Sequence, residues 1–427
     1  MAGAPGLVYK PTIMRRTTVS CLLLAGSIVL SGACVTAGPQ SASESTPVDE
    51  TSRPAAGLLL ALSQFEVSPE GKVLPRPKEA LLQILVPRDG RWETISIEDG
   101  ESNVFHKAMV YDPGDGAGIL TMGGSAAVLK LWRKGADGFA AETLWKKEFG
   151  GRFSRMREAE LLPLAGGGQA LAVATHDQGV VAIVEPDGDG FEVRELDRKK
   201  NTFVHEIEIG DLDGDGEAEI YATPSDPNLF DGKPQRGEVV SYTQAGKRRV
   251  VADLGDRHAK EILVADVDGD GRDELYVSVE AVEGGQLEVR RYDAETDPAA
   301  GRVVARLDDR LCRFLTAGDV DGDGKREIVA AAHKSGLWLL RPRESANAMW
   351  QKSSIDRASS GFEHAALLTD LDGDGRDELY VASDDQGEVR RYSWKGSGFS
   401  KEVLLRREIP DSVFTWNLMP VPLSLVE

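Results

Sequence analysis

The segment at residues 210–223, GDLDGDGEAEIYAT, decides the fold because close copies of it occur three more times. The copies are ADVDGDGRDELYVS at residues 265–278, GDVDGDGKREIVAA at 318–331 and TDLDGDGRDELYVA at 369–382. Their first aspartates lie roughly fifty residues apart. A fixed period of this length indicates a repeat architecture in which each repeat is one supersecondary unit.

Short apolar runs flank each acidic segment. An alternating run such as HEIEIGD precedes it, and a second run rich in Ile, Leu, Val and Tyr follows it. A third run begins after a glycine, as in GEVVSY, and a fourth, such as RVVADL, ends the unit. Four short strands separated by turn residues form one blade of a β-propeller.

The strand pattern extends to the rest of the chain without the carboxylates. Two further units begin at Phe105 and Phe153, which gives six complete units in the region 103–409. The C-terminal run VFTWNLMPVPL at 413–423 and the N-terminal runs GLLLALSQF, ALLQILVPRDGRW and ETISIED remain. Because an open ring would leave two unpaired sheet edges, we expect these runs to share one blade. The predicted fold is an all-β, seven-bladed β-propeller over residues 57–427, closed by N- and C-terminal strands in that blade.

Each acidic loop has the composition of a calcium site. Carboxylates occupy its first, third, fifth and ninth positions, and a glycine at the sixth position permits a tight turn. Calcium prefers about six to eight oxygen ligands, so we predict about four ions, one in each loop. The seventh residue of each loop would contribute its backbone carbonyl. The predicted ligands are Asp211, Asp213, Asp215, Glu217 and Glu219; Asp266, Asp268, Asp270, Arg272 and Glu274; Asp319, Asp321, Asp323, Lys325 and Glu327; and Asp370, Asp372, Asp374, Arg376 and Glu378.

Two other interpretations of these loops are less consistent with the sequence. An EF-hand places a bidentate glutamate at the twelfth position, on a helix. The twelfth residues here are Ala222, Val277, Ala330 and Val381, and strand-forming residues lead up to them. Acidic turns that bind nothing are the other alternative, but clustered carboxylates without a cation would repel one another strongly.

The loops and their flanking strands resemble the FG-GAP/VCBS repeats found in the integrin α propeller and in many bacterial exported proteins. This resemblance implies a propeller in which each cation lies in the hairpin between the first two strands of a blade. It is specific in the four acidic units and weak in the others. The corresponding loops at Asp112 (DPGDG) and Ala165 (AGGG) depart from the pattern, and we expect them to bind no cation.

The N-terminus has the pattern of an export signal. Arg15 and Arg16 precede the apolar run CLLLAGSIVL, which is too short to span a bilayer. We predict a signal peptide at residues 1–33, with Met14 as a possible true start. The sequence LSGAC ending at Cys34 resembles a bacterial lipobox, although Ser31 stands where leucine is usual. We therefore expect a lipid on Cys34; ordinary cleavage after the preceding alanine, with a free thiol, is the alternative.

A flexible tether and an envelope location follow from the same region. Residues 34–56 are rich in Ser, Thr, Pro, Ala and Glu and cannot bury a core. Val35 follows the cysteine, and the absence of aspartate there favours the outer membrane. We predict an exported outer-membrane lipoprotein, attached to the membrane only through its lipid and monomeric as a propeller. Whether it faces the periplasm or the cell surface stays open.

Composition restricts the partners. The formal net charge of -20 and the lack of a basic face exclude a general nucleic-acid binder. After signal cleavage only Cys34 and Cys312 remain. A lipid on Cys34 would therefore leave no internal disulfide to stabilise the fold.

A second periodicity places polar residues near the start of each innermost strand. His205, Lys260, Arg313 and His364 each precede the first loop aspartate by six residues. In a propeller this position lies near the central axis, on the face away from the calcium loops. The side chains could form a ring that binds an anionic group, such as a uronic acid or a carboxylate-bearing protein loop. Alternatively, they cap the channel and bond to backbone carbonyls. The ring would consist of His106, His205, Lys260, Arg313, His364 and Trp416.

No catalytic motif accompanies these features. The sequence contains no GxSxG elbow, HExxH, P-loop or Cys/His zinc cluster. We therefore predict a binding or scaffold protein of the cell envelope and not an enzyme, with calcium as a structural cofactor. The partner, an unknown protein or polysaccharide, would contact loops such as the insertion at residues 224–237. The alternative is a polysaccharide-acting enzyme, because some rhamnogalacturonan lyases use similar calcium-loaded propellers.

Overall fold

The computed structural model describes residues 56–124, 127–150, 155–164, 167–176, 178–188, 190–227, 231–343 and 348–427. The predicted signal peptide, Cys34 and all of the predicted tether except Ala56 lie outside the described residues. Ala165 also lies outside them. Among the described residues, no helix has the length and apolarity needed to cross a membrane.

The first half of the described chain contains twelve strands. They are β1 (Ala56–Val67), β2 (Val73–Pro77), β3 (Ala80–Arg88), β4 (Arg91–Asp99), β5 (Phe105–Tyr111), β6 (Gly118–Gly123), β7 (Ala127–Gly135), β8 (Gly138–Lys147), β9 (Met156–Pro163), β10 (Gln169–Thr175), β11 (Val181–Asp187) and β12 (Gly190–Asp197).

The second half continues the same pattern. Its strands are β13 (Phe203–Gly210), β14 (Glu219–Ser225), β15 (Glu238–Tyr242), β16 (Arg248–Asp253), β17 (Ala259–Ala265), β18 (Glu274–Val279), β19 (Leu287–Tyr292), β20 (Arg302–Leu307), β21 (Cys312–Gly318), β22 (Glu327–Ala332), β23 (Gly336–Arg341), β24 (Gln351–Asp356), β25 (Ala366–Thr369), β26 (Glu378–Ser383), β27 (Glu388–Trp394), β28 (Phe399–Arg406) and β29 (Val413–Pro422). Three short 3-10 turns lie at Asp384–Gln386, Pro410–Ser412 and Leu423–Leu425.

These strands form seven antiparallel sheets, the blades of a β-propeller. Blades 2 to 7 each consist of four consecutive strands, from β5–β8 in blade 2 to β25–β28 in blade 7. Blade 1 combines β1–β4 with the last strand, β29. The prediction of an all-β, seven-bladed propeller is therefore confirmed.

The two ends of the chain close the ring inside blade 1. β29 is the innermost strand and pairs with β1 over nine residue pairs, from Ala56 opposite Pro422 to Gln64 opposite Val413. β1 pairs on its other side with β3, and β3 pairs with β4. This arrangement confirms the predicted closure, because strands from both ends of the chain pair within one sheet.

Two details of blade 1 differ from the sequence prediction. The run ALLQILVPRDGRW is not one strand, because Asp89 and Gly90 adopt positive φ angles of 47° and 74° and turn the chain into β4. In addition, β1 extends into a hairpin with β2, a strand that the sequence analysis did not identify. The strand was missed because its sequence, VLPRP, contains two prolines.

Each interface between neighbouring blades has its own hydrophobic core. Between blades 5 and 6, for example, Tyr276 and Leu287 pack in one cluster with Cys312, Ile328 and Leu340. Seven such clusters follow one another around the ring. Burial of each large side chain contributes about 1.5–3 kcal/mol, so the blades are held together without a single central core.

The propeller has two different faces. The hairpin face carries the loops that join the first and second strands of each blade, including the four acidic loops. In blade 1 the chain enters and leaves at this position, since Ala56 lies opposite Pro422. The opposite face carries the β1–β2 hairpin and the described parts of the insertion after Ser225, residues 226–227 and 231–237, because both follow the end of a second strand.

All six histidines of the chain lie at the opposite face. This placement follows from topology, because first strands begin there and second strands end there. His106, His205 and His258 lie in or directly before the start of a first strand. His176 and His333 directly follow the end of a second strand, and His364 lies in the segment that precedes β25.

Candidate calcium hairpins and the central channel

The four acidic loops form hairpins between the first two strands of blades 4 to 7. In blade 4 the first aspartate organises the loop, since the Gly214 N–H donates to Asp211 Oδ1 at 2.7 Å and the Gly216 N–H to Oδ2 at 2.8 Å. The first aspartates of the other three loops accept the equivalent pair of bonds. The hairpins therefore share one backbone conformation.

Glycine at the fourth and sixth positions permits this conformation. Gly214 and Gly216 have φ angles of 73° and 87°, in the left-handed region that a Cβ atom disfavours. The corresponding glycines of the other loops have φ angles between 76° and 88°. The backbone N–H of each seventh residue, such as Glu217, donates to the fifth aspartate.

Carboxylates converge inside every hairpin. One oxygen from each member of a group lies within 4.8 Å of the others. Two oxygens on opposite sides of a calcium ion, each about 2.3–2.6 Å away, are separated by about 5 Å. The donor set therefore fits a hard cation in size and chemistry. The groups are Asp211, Asp213 and Glu219; Asp266, Asp268, Asp270 and Glu274; Asp319, Asp321 and Glu327; and Asp370, Asp372 and Asp374. The remaining predicted side-chain ligands, Asp215, Asp323 and Glu378, lie outside these groups.

The ninth-position glutamates begin the second strands and are the most buried of these carboxylates. Burial raises the pKa of Glu274, Glu327 and Glu378 to about 7 and also raises the pKa of Glu219. A tyrosine hydroxyl two residues further along donates to three of them; for example, Tyr221 donates to Glu219 at 2.7 Å. Nearby positive charge would therefore favour the ionised form of these glutamates.

Arginines supply some of this charge in blades 5 and 6. Arg291 lies 2.6 Å from Asp268 and 3.3 Å from Glu274. Arg341 contacts Asp321 and Glu327 in the same way, at 2.7 and 3.1 Å. Both arginines lie on third strands, in GQLEVRRY and GLWLLR, and the sequence analysis did not connect them with the loops.

Neighbouring hairpins are linked in two pairs. The Asp211 N–H donates to Asp273 of the next blade at 2.8 Å, and the Asp319 N–H donates to Asp377 at the same distance. A Cβ on the glycine before Asp319, Gly318, would approach Asp377 Oδ2 to 2.5 Å. The glycine that precedes each of these two loops thus allows the next blade to pack closely.

The loop of blade 2 differs in its chemistry. Asp112 accepts N–H bonds from Gly114 and Gly116 at 2.8 and 3.1 Å, as in the acidic loops. However, its nearby carboxylate, Asp115, pairs with Arg133, and no converging carboxylate group occurs in this loop among the described residues.

The predicted polar ring lies at the start of the innermost strands, where the strand register shifts. His106 in β5, Lys260 in β17 and Arg313 in β21 are each the residue that the cross-strand register passes over at the shift. His205 is one of two such residues at the shift in β13. A β-bulge of this kind changes the direction of a side chain. Trp416 occupies the corresponding shift of β29 and is half-buried, whereas the other ring residues are at most 7% exposed.

Two ring histidines bond to backbone carbonyls, as expected if the ring residues cap the channel. The Nδ1–H of His106 donates to the Met156 carbonyl at 2.7 Å. His364 Nδ1–H donates to the Ala332 carbonyl at 2.8 Å, and its Nε2 accepts from Ser359 at 2.7 Å. These contacts fix both imidazoles. Whether the ring binds a ligand stays a prediction.

Two charged residues complete the ring and were missed in the sequence analysis. Arg157 occupies the shifted position of β9, and Glu363 directly precedes His364. Glu363 pairs with Arg313 of the neighbouring blade and lies 3.7 Å from Arg157 across the channel. If the segment MREAE is aligned with FHKAM, Arg157 falls at the position equivalent to His106, so the repeat could have identified it. No feature of the sequence indicated Glu363.

These contacts form a cluster of charged side chains at the opposite face. Burial favours the neutral acid, but the positive charges of Arg313, Arg157 and Lys260 outweigh it and lower the pKa of Glu363 to about 2. The Arg157 guanidinium also lies over the Trp416 ring, 5.4 Å from its centroid. Blades 1, 3, 6 and 7 therefore meet at one ion-paired cluster.

A second charged group lies deeper in the channel. It contains one cation, Lys107, which is 2.9 Å from Glu158 and also pairs with Glu160. Burial and then neighbouring negative charge raise the pKa of Glu206 and Glu208 well above the usual range, and burial is also the main cause of the raised pKa of Glu261. The group consists of Lys107, Glu158, Glu160, Glu206, Glu208 and Glu261, with Arg157 at its edge.

Replacement of Glu208 with glutamine is expected to stabilise the protein at alkaline pH. A raised carboxyl pKa means that the folded state binds more protons than the unfolded state. The stability from this group is thus complete below the unfolded pKa and is lost as pH rises through the folded pKa. We expect Glu208→Gln to raise the Tm by about 2 °C or more at pH 8 and to have little effect at pH 4.

Differential scanning calorimetry of both proteins across this pH range, with chelator present, measures the difference. Glu185→Gln, at an exposed position of β11, is the matched control and should leave the Tm unchanged. An equal effect of both substitutions at pH 8 would contradict the proposed burial of charge.

Comparison with protein-family models and with curated proteins gave no match to this chain.

Proposed function

We propose that this chain is a calcium-stabilised propeller of the FG-GAP/VCBS type that binds a protein or polysaccharide at the cell envelope. In this proposal the chain is exported and anchored by a lipid on Cys34, and calcium has a structural role. One observation carries the proposal: equivalent loop positions bring carboxylates together on four successive blades. A single acidic turn would be ordinary on an acidic protein, whereas four loops with the same first-aspartate hydrogen bonds and converging carboxylates favour a common ligand.

The opposite face is the better candidate for the partner. It carries the β1–β2 hairpin, the insertion after Ser225 and all six histidines. Loops on a rigid scaffold often carry recognition.

Isothermal titration of the chelated protein with calcium tests the proposal. We expect about four binding events, and Asp211→Asn should remove one of them because it takes away a charged ligand. Asp112→Asn is the matched control, since that loop has the same turn without converging carboxylates. Failure to bind calcium at millimolar concentration would refute the calcium role.

A further inference from the structure

The opposite face contains a buried imidazole with no hydrogen-bond partner among the described residues. His205 is 3% exposed, and neither of its ring nitrogens makes a hydrogen bond. Its ring stands edge-on to His176 and His258, with centroids 5.2 and 5.6 Å away. A buried polar group without a partner destabilises the folded state, because it has given up its hydrogen bonds to water. The cost suggests that a ligand supplies the partner.

We call His176, Phe203, His205, His258 and Lys260 the histidine pocket. His258 is anchored by its Nε2, 2.9 Å from the Ser225 hydroxyl, while its Nδ1 has no hydrogen bond. Phe203 and His176 are half-buried and separate the pocket from solvent. A small cleft on the same face is lined by Thr202, Ser225 and Gly237, and Ser225 is the residue that contacts His258.

The charges around the pocket favour an anion. Burial, followed by the charge of Lys260, lowers the pKa of His205 well below its usual range. Burial and then the charges of Lys260 and Arg313 lower the pKa of His258 to about 3. Neutral imidazoles each keep one N–H donor, and a cation placed among them would be repelled by the neighbouring positive groups. The facing positive charges are Arg157 and Arg313. Burial and then the charge of Arg313 lower the pKa of Lys260 well below its usual range. The facing carboxylates are Glu363 and Glu280, which lies 3.7 Å from His258 Nδ1.

Glu363 shows that a carboxylate is stable beside the histidine pocket. Its carboxylate, from blade 7, pairs with Arg313 and approaches Arg157 beside the pocket. Arginine pairs with carboxylate and phosphate through the same planar donor geometry. The region thus already holds one oxyanion, supplied by the protein itself.

We propose that the histidine pocket binds an oxyanion, either the carboxylate of an acidic sugar or a phosphate or sulfate group, with His205 and Lys260 as hydrogen-bond donors. The inference deepens the binding function proposed above and rests on it for the choice of face, but it does not depend on calcium.

Titration calorimetry and thermal shift on the calcium-loaded full chain test this inference. The probes are galacturonate, inorganic phosphate and sulfate, with galactose as the neutral control. We expect at least one anion to bind and to raise the Tm, because a ligand specific for the folded state stabilises it, and galactose to have no effect. The anion that binds identifies the source of the oxyanion.

Two variants separate a ligand role from a structural one. Without anion, the His205→Phe variant should be as stable as the wild type or more stable, since it removes an unpartnered polar group. Its affinity for the anion should fall by a factor of about ten or more. Lys260→Met should weaken binding similarly, whereas Lys247→Met, which removes an exposed lysine elsewhere, should not. Absence of binding by the wild type, or unchanged binding by both pocket variants, would overturn the inference. If the protein binds calcium but no anion, the calcium proposal stands and the anion proposal fails. If it binds an anion but no calcium, the anion proposal stands and the calcium proposal fails.

Discussion

Chelation of calcium is expected to lower the Tm of this protein by about 10 °C or more. Each site stabilises the folded state by about 2.7 kcal/mol when free calcium is about 100 times its Kd. Because the entropy of unfolding grows with chain length, about 1 kcal/mol changes the Tm of a propeller of this length by about 1 °C or slightly more. Four hairpins acting together therefore predict a large shift, measurable by scanning calorimetry with calcium or with EGTA.

The controls for this experiment come from the hairpins themselves. Joint replacement of Asp211, Asp266, Asp319 and Asp370 with asparagine should give a low Tm that no longer responds to calcium. Asp112→Asn should respond as the wild type does, because its loop lacks converging carboxylates. If EGTA leaves the wild-type Tm unaltered, the backbone N–H bonds and the arginines suffice to stabilise the loops without a cation.

Glu363→Ala is expected to reduce the free energy of unfolding by about 3–5 kcal/mol, the usual cost of removing one partner of a buried ion pair. Glu363 is 3% exposed and faces Arg313, Arg157 and Lys260. Its removal would leave these positive charges close together in a water-poor site. It would also release the contact that links blade 7 to blades 3 and 6.

Urea unfolding monitored by circular dichroism measures this loss. Glu402→Ala is the matched control, because Glu402 pairs with Arg391 at the surface with its side chain 45% exposed. An exposed pair contributes about 0–1 kcal/mol, so this variant should unfold almost as the wild type does. A loss below about 1 kcal/mol for Glu363→Ala would show that water or rearranged carboxylates replace the ion pair.

The fold was predictable because its decisive signals are local. The DxDGDG segments and their flanking strands repeat at a fixed interval, and glycine at the fourth and sixth positions has the required positive φ. Closure through β29 was predictable because unpaired strands remained at both ends. The β2 strand was missed because prolines obscure its pattern.

The candidate sites were predictable only in part, because ring closure brings distant residues together. Local spacing identified the loop aspartates, but the contact of Arg341 with Asp321 crosses from the third strand to the loop. The contact between Arg157 and Glu363 joins blades on different sides of the axis and has no counterpart in sequence spacing. His205 was identified by its period, whereas its lack of a hydrogen-bond partner became visible only in three dimensions.

The pairing of β1 with strands on both sides has a mechanical consequence. A force applied to the chain before Ala56 acts along β1, which is bonded to β29 on one edge and β3 on the other. The load is then shared in shear by two rows of hydrogen bonds instead of opening them one at a time. A propeller pulled at this point would resist unfolding until a whole strand slides out of the sheet.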